Sequence, residues 1–149
     1  MASKFVSWLR AEIQAARSAG ASIAVFHYTS PEVRYLENLL GEDEVADVLS
    51  CFVDLHAFVK ENFFGVEGIG LKKVATALGF SWGDEDPGGL QSQTWLQIAR
   101  DVADPRHGDM RSRILAYNAD DVKATAVLRD RIASVAAVIT EGREIEIDP

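Results

Sequence analysis

RSRILAYNADDVKATAVLRDRIASV, residues Arg111–Val135, is the stretch whose reading decides the fold. Taken at helical spacing, it places Ile114, Tyr117, Asp121, Ala124, Leu128, Ile132 and Val135 in one row, the pattern of a helix facing a core. Tyr117 and Asp121 stand one turn apart where an ordinary core stripe is apolar. A carboxylate in such a row needs hydrogen bonds, a cation or a metal, because burying it alone is costly. The other reading is that helix curvature carries Asp121 to a wet margin, near Arg129 or a chain end. Tyr117 likewise has two readings: a half-buried aromatic with its hydroxyl at the rim, or a phenol sharing one point with Asp121 and able to orient a water.

Upstream of this helix the pattern alternates between helical periods and short apolar runs. Residues Lys4–Ser18 read as a helix with Phe5, Trp8, Leu9, Ile13 and Ala16 inward, stopped by Gly20. Ala21–Phe26, ASIAVF, is too short for a helix and reads as a buried parallel strand. HYTSP, 27–31, leaves that strand, with Ser30 at the N-cap position and Pro31 at the first position of a helix running to Gly41. Glu32 falls in the first turn of that helix. There it suits the helix dipole, and it also lies at the strand end where open α/β sheets bind ligands.

Glu42–Asp47 is acidic and is expected to be a solvated turn or short cap. Cys51–Leu55, CFVDL, is a second strand or an extended entry to a helix His56–Asn62, which Asp54 can cap. Phe58, Phe63 and Phe64 are expected to pack. A loop over 65–70 leads to a helix Leu71–Leu78 on the stripe Leu71, Val74, Leu78. FSWGDEDPGG, 80–89, has a loop's composition, and Leu90–Val102 is helical with Trp95 and Ile98 inward. ADPRHG, 103–108, breaks the chain before the long helix, and the text after Val135 reads as a strand or a tail. The class is α/β, helix-rich with few strands, and a length of 149 residues fits a single domain, 1–149.

Composition limits the partners. A formal net charge of −8 argues against broad, non-specific binding to nucleic acid or anionic membrane, without excluding a nuclease whose carboxylates hold cations. One cysteine, Cys51, cannot form an internal disulfide, so the expected compartment is the cytoplasm. Neither a signal peptide nor an apolar run of ~20 residues is visible, so no membrane span is expected. His27, His56 and His107 lack zinc-site spacings. GVEGIG at 65–70 matches neither a dinucleotide nor a Walker A loop. Three acids border apolar stretches, namely Glu32, Asp54 and Asp121, and hard cations such as Mg²⁺ take one or two such carboxylates with phosphate oxygens and water.

HYTSPE, VDLHAFV, GLKKVATALGFSW and YNADDVKATAVLRD together resemble the predicted RecB-family nucleases with a ribonuclease H-like fold, related to the DEDDy 3′–5′ exonucleases, over about Ala21–Ile132. The resemblance implies a partial ribonuclease H-like domain whose third motif, Tyr, three residues, Asp, falls on Tyr117 and Asp121. It puts the second motif on Glu32 and a position near the site on Asp54. For the complete domain it implies two Mg²⁺ or Mn²⁺ ions held by a first-motif Asp–Glu pair together with Glu32 and Asp121, with Asp54 near the site, and single-stranded DNA or RNA as substrate. Tyr117 would position the water that attacks a terminal phosphodiester. The superfamily's first motif, an Asp and a Glu two apart on the first strand, has no counterpart and is expected ahead of the Lys4–Ser18 helix. The chain is accordingly expected to be incomplete, with self-association or association with an absent N-terminal segment. The rival reading is a non-catalytic ribonuclease H-like scaffold or interaction module.

Overall fold

A computed structural model describes residues 1–62, 68–84 and 89–140. They divide between two units, Met1–Ile69 and Gly70–Pro149.

In the first unit, helix α1 spans Ala2–Ser18 and buries Ala2, Val6 and Leu9. The inward face is therefore turned from the expected one. Leu9 and Ile13 hold their places, but Phe5 and Trp8 lie outward and contact each other at 5.8 Å between ring centroids. Gly20 adopts φ +70° behind the helix, a conformation that favours glycine, while the next amide, Ala21 N–H, returns to the Ala16 carbonyl at 2.9 Å.

The expected strand Ala21–Phe26 is shorter and less buried than its sequence suggests. Only Val25–His27 is paired, as β1, and Phe26 is 37% exposed. Its partner is β2, Phe52–Asp54, parallel and in the register Val25↔Phe52, Phe26↔Val53, His27↔Asp54. The pairing confirms the strand reading of CFVDL. With one three-residue partner, there is no second neighbour among the described residues to extend the ladder through Ala21–Ala24.

Between the strands, α2 covers Pro31–Leu40, with Pro31 at its start. Ser30 holds the N-cap position, but its hydroxyl makes no capping bond. The acidic segment expected to be a turn is helix α3, Glu42–Leu49. Val45 and Val48, one turn apart, are fully buried, and Glu42, Asp43 and Glu44 occupy the first turn, where the dipole favours carboxylates. Arg10 of α1 forks onto Asp47 at 2.8 and 2.9 Å and also contacts Glu44. Helices α1, α2 and α3 thus enclose one core of Ala2, Val6, Leu9, Leu36, Val45 and Val48. Helix α4, Leu55–Asn62, follows β2 directly and buries Leu55 and Val59. Phe58, expected to pack, is 40% exposed, and Phe63 and Phe64 lie outside the described residues.

The second unit is helical among its described residues. Helix α5, Leu71–Ala77, buries Ala75, with the expected stripe Leu71, Val74 and Leu78 half-buried around it. Helix α6, Gly89–Arg100, turns Trp95 inward as expected. Helix α7 is longer than Arg111–Val135: it runs His107–Thr140, so the break at 103–108 ends at His107. Helices α5 and α6 both pack on α7, whose Ala124 and Leu128 are buried as its spacing requires. The residues of 80–84 form neither helix nor strand, and the chain beyond Thr140 lies outside the described residues. No helix is long and apolar enough to cross a membrane among the described residues.

This packing predicts unequal costs for two leucines of the first unit. Leu9→Ala, at a side chain 2% exposed, should lose about 2–5 kcal/mol, while Leu39→Ala, at one 55% exposed, should stay near about 0.5 kcal/mol. Urea unfolding of both variants checks this, and equal losses would contradict the core assignment.

Candidate active site around Tyr117 and Asp121

The core-facing row of α7 brings Tyr117 and Asp121 to one place, and the loop after α5 completes it. The Trp82 indole N–H donates to Asp121 Oδ1 at 2.9 Å. This donor answers the problem posed by a carboxylate in an apolar row. Arg129, the other partner considered, turns to Asp130 at 2.6 Å, and the chain end lies outside the described residues. Burial first, then the Asp121 charge, a hydrogen bond to Asp121 and the charge of Asp84 push the Tyr117 hydroxyl above its ordinary range. Tyr117 therefore stays a neutral donor facing an acceptor.

Aromatic and charged groups wall the pair. Trp95 of α6 meets the Tyr117 ring edge-on at 6.1 Å. Arg113 of α7 lies 3.9 Å from the Trp95 ring centroid and forks onto Asp84 at 2.6 and 2.7 Å. The Lys72 ammonium of α5 sits over the Tyr117 ring at 5.0 Å. Phe80 packs edge-on against Trp82 at 4.8 Å, fixing the indole that holds Asp121. Next to the site, Asp120 accepts from Gly83 N–H at 2.9 Å and from Lys123 at 2.9 Å. The amide first and then the ammonium bond hold its carboxyl below the usual range.

The other two expected acids belong to the first unit, at the C-terminal end of its parallel pair. Asp54 Oδ1 accepts from His56 N–H at 2.9 Å, capping α4, and from Thr29 N–H at 3.0 Å, tying the two strand ends together. That second bond holds Thr29 at φ 66°, a left-handed conformation unusual for a branched residue. His27 Nδ1 meets the Thr29 carbonyl, and the Tyr28 hydroxyl donates to the Ile69 carbonyl. Tyr28 also meets His56 edge-on at 5.2 Å. Glu32 is exposed in the first turn of α2 and has no hydrogen bond or ion pair among the described residues.

Tyr117 and Asp121 lie one turn apart on the half-buried face of α7, and Asp54 does the work of a helix cap. Trp82, Arg113, Asp84 and Lys72 were missed by sequence reasoning. The GFSW segment at 79–82 was read as loop by composition, and a donor reaching thirty-nine residues along the chain leaves no periodic trace. Two-ion nucleases need several converging oxygen donors. Among the described residues no three of His, Cys, Asp or Glu come together. The described donors of neither unit meet that demand.

A family model described as the RNase H superfamily matches residues 3–133. The chain therefore belongs to the RNase H superfamily, and its helix-rich α/β architecture with a parallel strand pair agrees with that membership. Such a domain points to nuclease-type action on nucleic acid. Searches of curated proteins and of solved structures gave no match.

The environment of Tyr117 has a measurable signature in alkali. Its native value lies above the unfolded value near about 10, so its contribution to stability is intact below that pH and declines as pH rises through the native value. Absorbance titration of the protein minus its Tyr117→Phe variant should show this late ionisation. Asp121→Asn should move it earlier by removing a charge and an acceptor. An unmoved titration would show that Asp121 does not face the hydroxyl.

Proposed function

We propose that this chain is a nuclease of the 3′–5′ exonuclease kind, related to the RecB-family and DEDDy enzymes and dependent on Mg²⁺ or Mn²⁺. In this reading Tyr117 orients the attacking water and Asp121 contributes one carboxylate ligand. The resemblance also makes Glu32, exposed in the first turn of α2, a carboxylate ligand. The substrate is single-stranded DNA or RNA attacked at a terminal phosphodiester. What carries the reading is one observation: Tyr117 and Asp121 stand one turn apart on the same half-buried face of α7, with Trp82 fixing the carboxylate. A phenol held against an acid one turn away is suited to holding a water, and an ordinary core helix has no use for the pair.

Asp54 is left out of the proposed ligand set. One of its oxygens already serves two backbone amides, and pulling it toward an ion would release the Thr29 turn.

The scaffold reading has its own specific support, since Asp121 is already satisfied by a neutral donor and no three acids converge among the described residues. Calorimetric Mn²⁺ titration and single-turnover cleavage of a 5′-labelled single-stranded oligonucleotide separate the two. A nuclease predicts that Asp121→Asn removes most of the ion affinity along with cleavage. Tyr117→Phe should keep the ion and slow the chemical step by about 10²-fold. Absence of both ion binding and cleavage in the unaltered protein, or full activity in Asp121→Asn, would favour the scaffold.

A further inference from the structure

We infer that Lys72 is a phosphate-contacting residue of the nucleic-acid site, holding a backbone phosphodiester beside the Tyr117–Asp121 pair. The inference rests on the nuclease reading above and adds the group that recognises the substrate's charge.

The assignment follows from how charge is distributed around the pair. Most cations of the second unit seen near an acid are committed to it: Arg113 to Asp84 at 2.6 Å, Lys123 to Asp120 at 2.9 Å, Arg129 to Asp130 at 2.6 Å. Lys72 differs. Its ammonium lies over the Tyr117 ring at 5.0 Å and has no carboxylate partner among the described residues. A ring face attracts an ammonium without neutralising it, so the charge remains available to an anion. The residue is half-buried, on a helix that packs against α7, which limits where that charge can go. It is thereby held over the ring of Tyr117, one turn along α7 from Asp121.

A chain of net charge −8 repels a polyanion at long range, so any nucleic acid it binds must be held by local contacts. An ammonium is a compact point charge with three donors, suited to one phosphate and indifferent to the base above it. Trp95 of α6, buried and covered by the Arg113 guanidinium, meets the Tyr117 ring edge-on and holds it in place. The ligand class, taken from the nuclease reading, is a single-stranded oligonucleotide engaged through its backbone phosphates.

The test is fluorescence anisotropy of a labelled oligothymidylate without divalent ion, titrated with the full chain across a range of NaCl concentrations. Releasing one phosphate contact on a single strand lowers the salt slope by about 0.7, which corresponds to a loss of roughly eightfold in affinity at 0.05 M salt. Lys72→Met should show that change and Lys72→Arg should not. A purely structural cation over a ring would alter melting temperature and leave the salt slope alone. As a reading independent of folding in the variants, bound oligonucleotide should protect Lys72 of the unaltered protein from acetylation by an activated ester, followed by mass spectrometry. Salt-dependent binding with an unchanged slope in Lys72→Met, or with Lys72 unprotected, overturns the assignment while the nuclease reading stands. No binding by the unaltered protein at low salt overturns both.

Discussion

The second unit depends on how one carboxylate is accommodated in an otherwise apolar helical row. Asp121 lies between Tyr117 and Ala124 on the face of α7 that packs, and its charge must be met there. It is met by an indole N–H, a neutral donor, with the Tyr117 phenol one turn away. Neutral donors satisfy the hydrogen-bonding capacity of a carboxylate but leave its charge uncancelled, unlike an arginine or lysine. The surrounding order follows from that choice. Trp82 has to be held in place, which Phe80 does edge-on, so the loop after α5 is fixed against α7. Gly83, next in sequence, donates its amide to Asp120, closing the loop with a second bond one residue along the helix. A β-carbon at Gly83 would stand 3.4 Å from that carboxylate oxygen, ordinary contact, so the backbone amide and not the absence of a side chain is what this position supplies.

In the first unit Asp54 plays the corresponding part with backbone donors. Its single oxygen joins the end of β2 to the loop after β1, and Thr29 accepts an unfavourable left-handed conformation in return. Such conformations cost on the order of 1–3 kcal/mol and persist where several contacts fix them. The contacts here are the Asp54 bond, the His27 ring on the Thr29 carbonyl and the paired strands on either side. A ladder of three residues on each strand contributes little by itself. The carboxylate bridge and the helix that follows directly at Leu55 therefore carry part of the burden of keeping the two strands parallel and in register.

What was legible in the sequence was whatever recurs with a period. The row Ile114, Tyr117, Asp121, Ala124, Leu128 gave α7 its buried face, and Pro31 and Trp95 told where α2 starts and which side of α6 faces inward. Glu42–Asp47 misled because composition was weighed above spacing: its acids sit in the first turn of a helix whose Val45 and Val48 fill the core. The reading of α1 failed for a related reason. Phe5 and Trp8 are the most apolar residues there, yet the small Ala2 and the branched Val6 are what fit beneath α3, and the large rings lie outward. Trp82, Lys72 and Arg113 were not legible, because an indole donor, a cation over a ring and a guanidinium stack each join residues far apart in sequence.

The acids of the second unit are not equivalent, and the difference lies in their partners rather than their residue type. Asp84 meets a guanidinium and Asp120 an ammonium with an amide, whereas Asp121 meets a neutral donor and no cation among the described residues. Asp84 and Asp120 are thereby committed to holding the loop and the helix. A cation approaching Asp121 would not first have to displace a side-chain cation, although it would compete with an indole N–H for one oxygen. The same distinction separates the bases, since the ring beneath Lys72 leaves its charge in place while Asp84 cancels that of Arg113. Asp121 and Lys72 therefore keep charges that no side chain of opposite sign cancels among the described residues, one a turn along α7 from Tyr117 and the other over its ring.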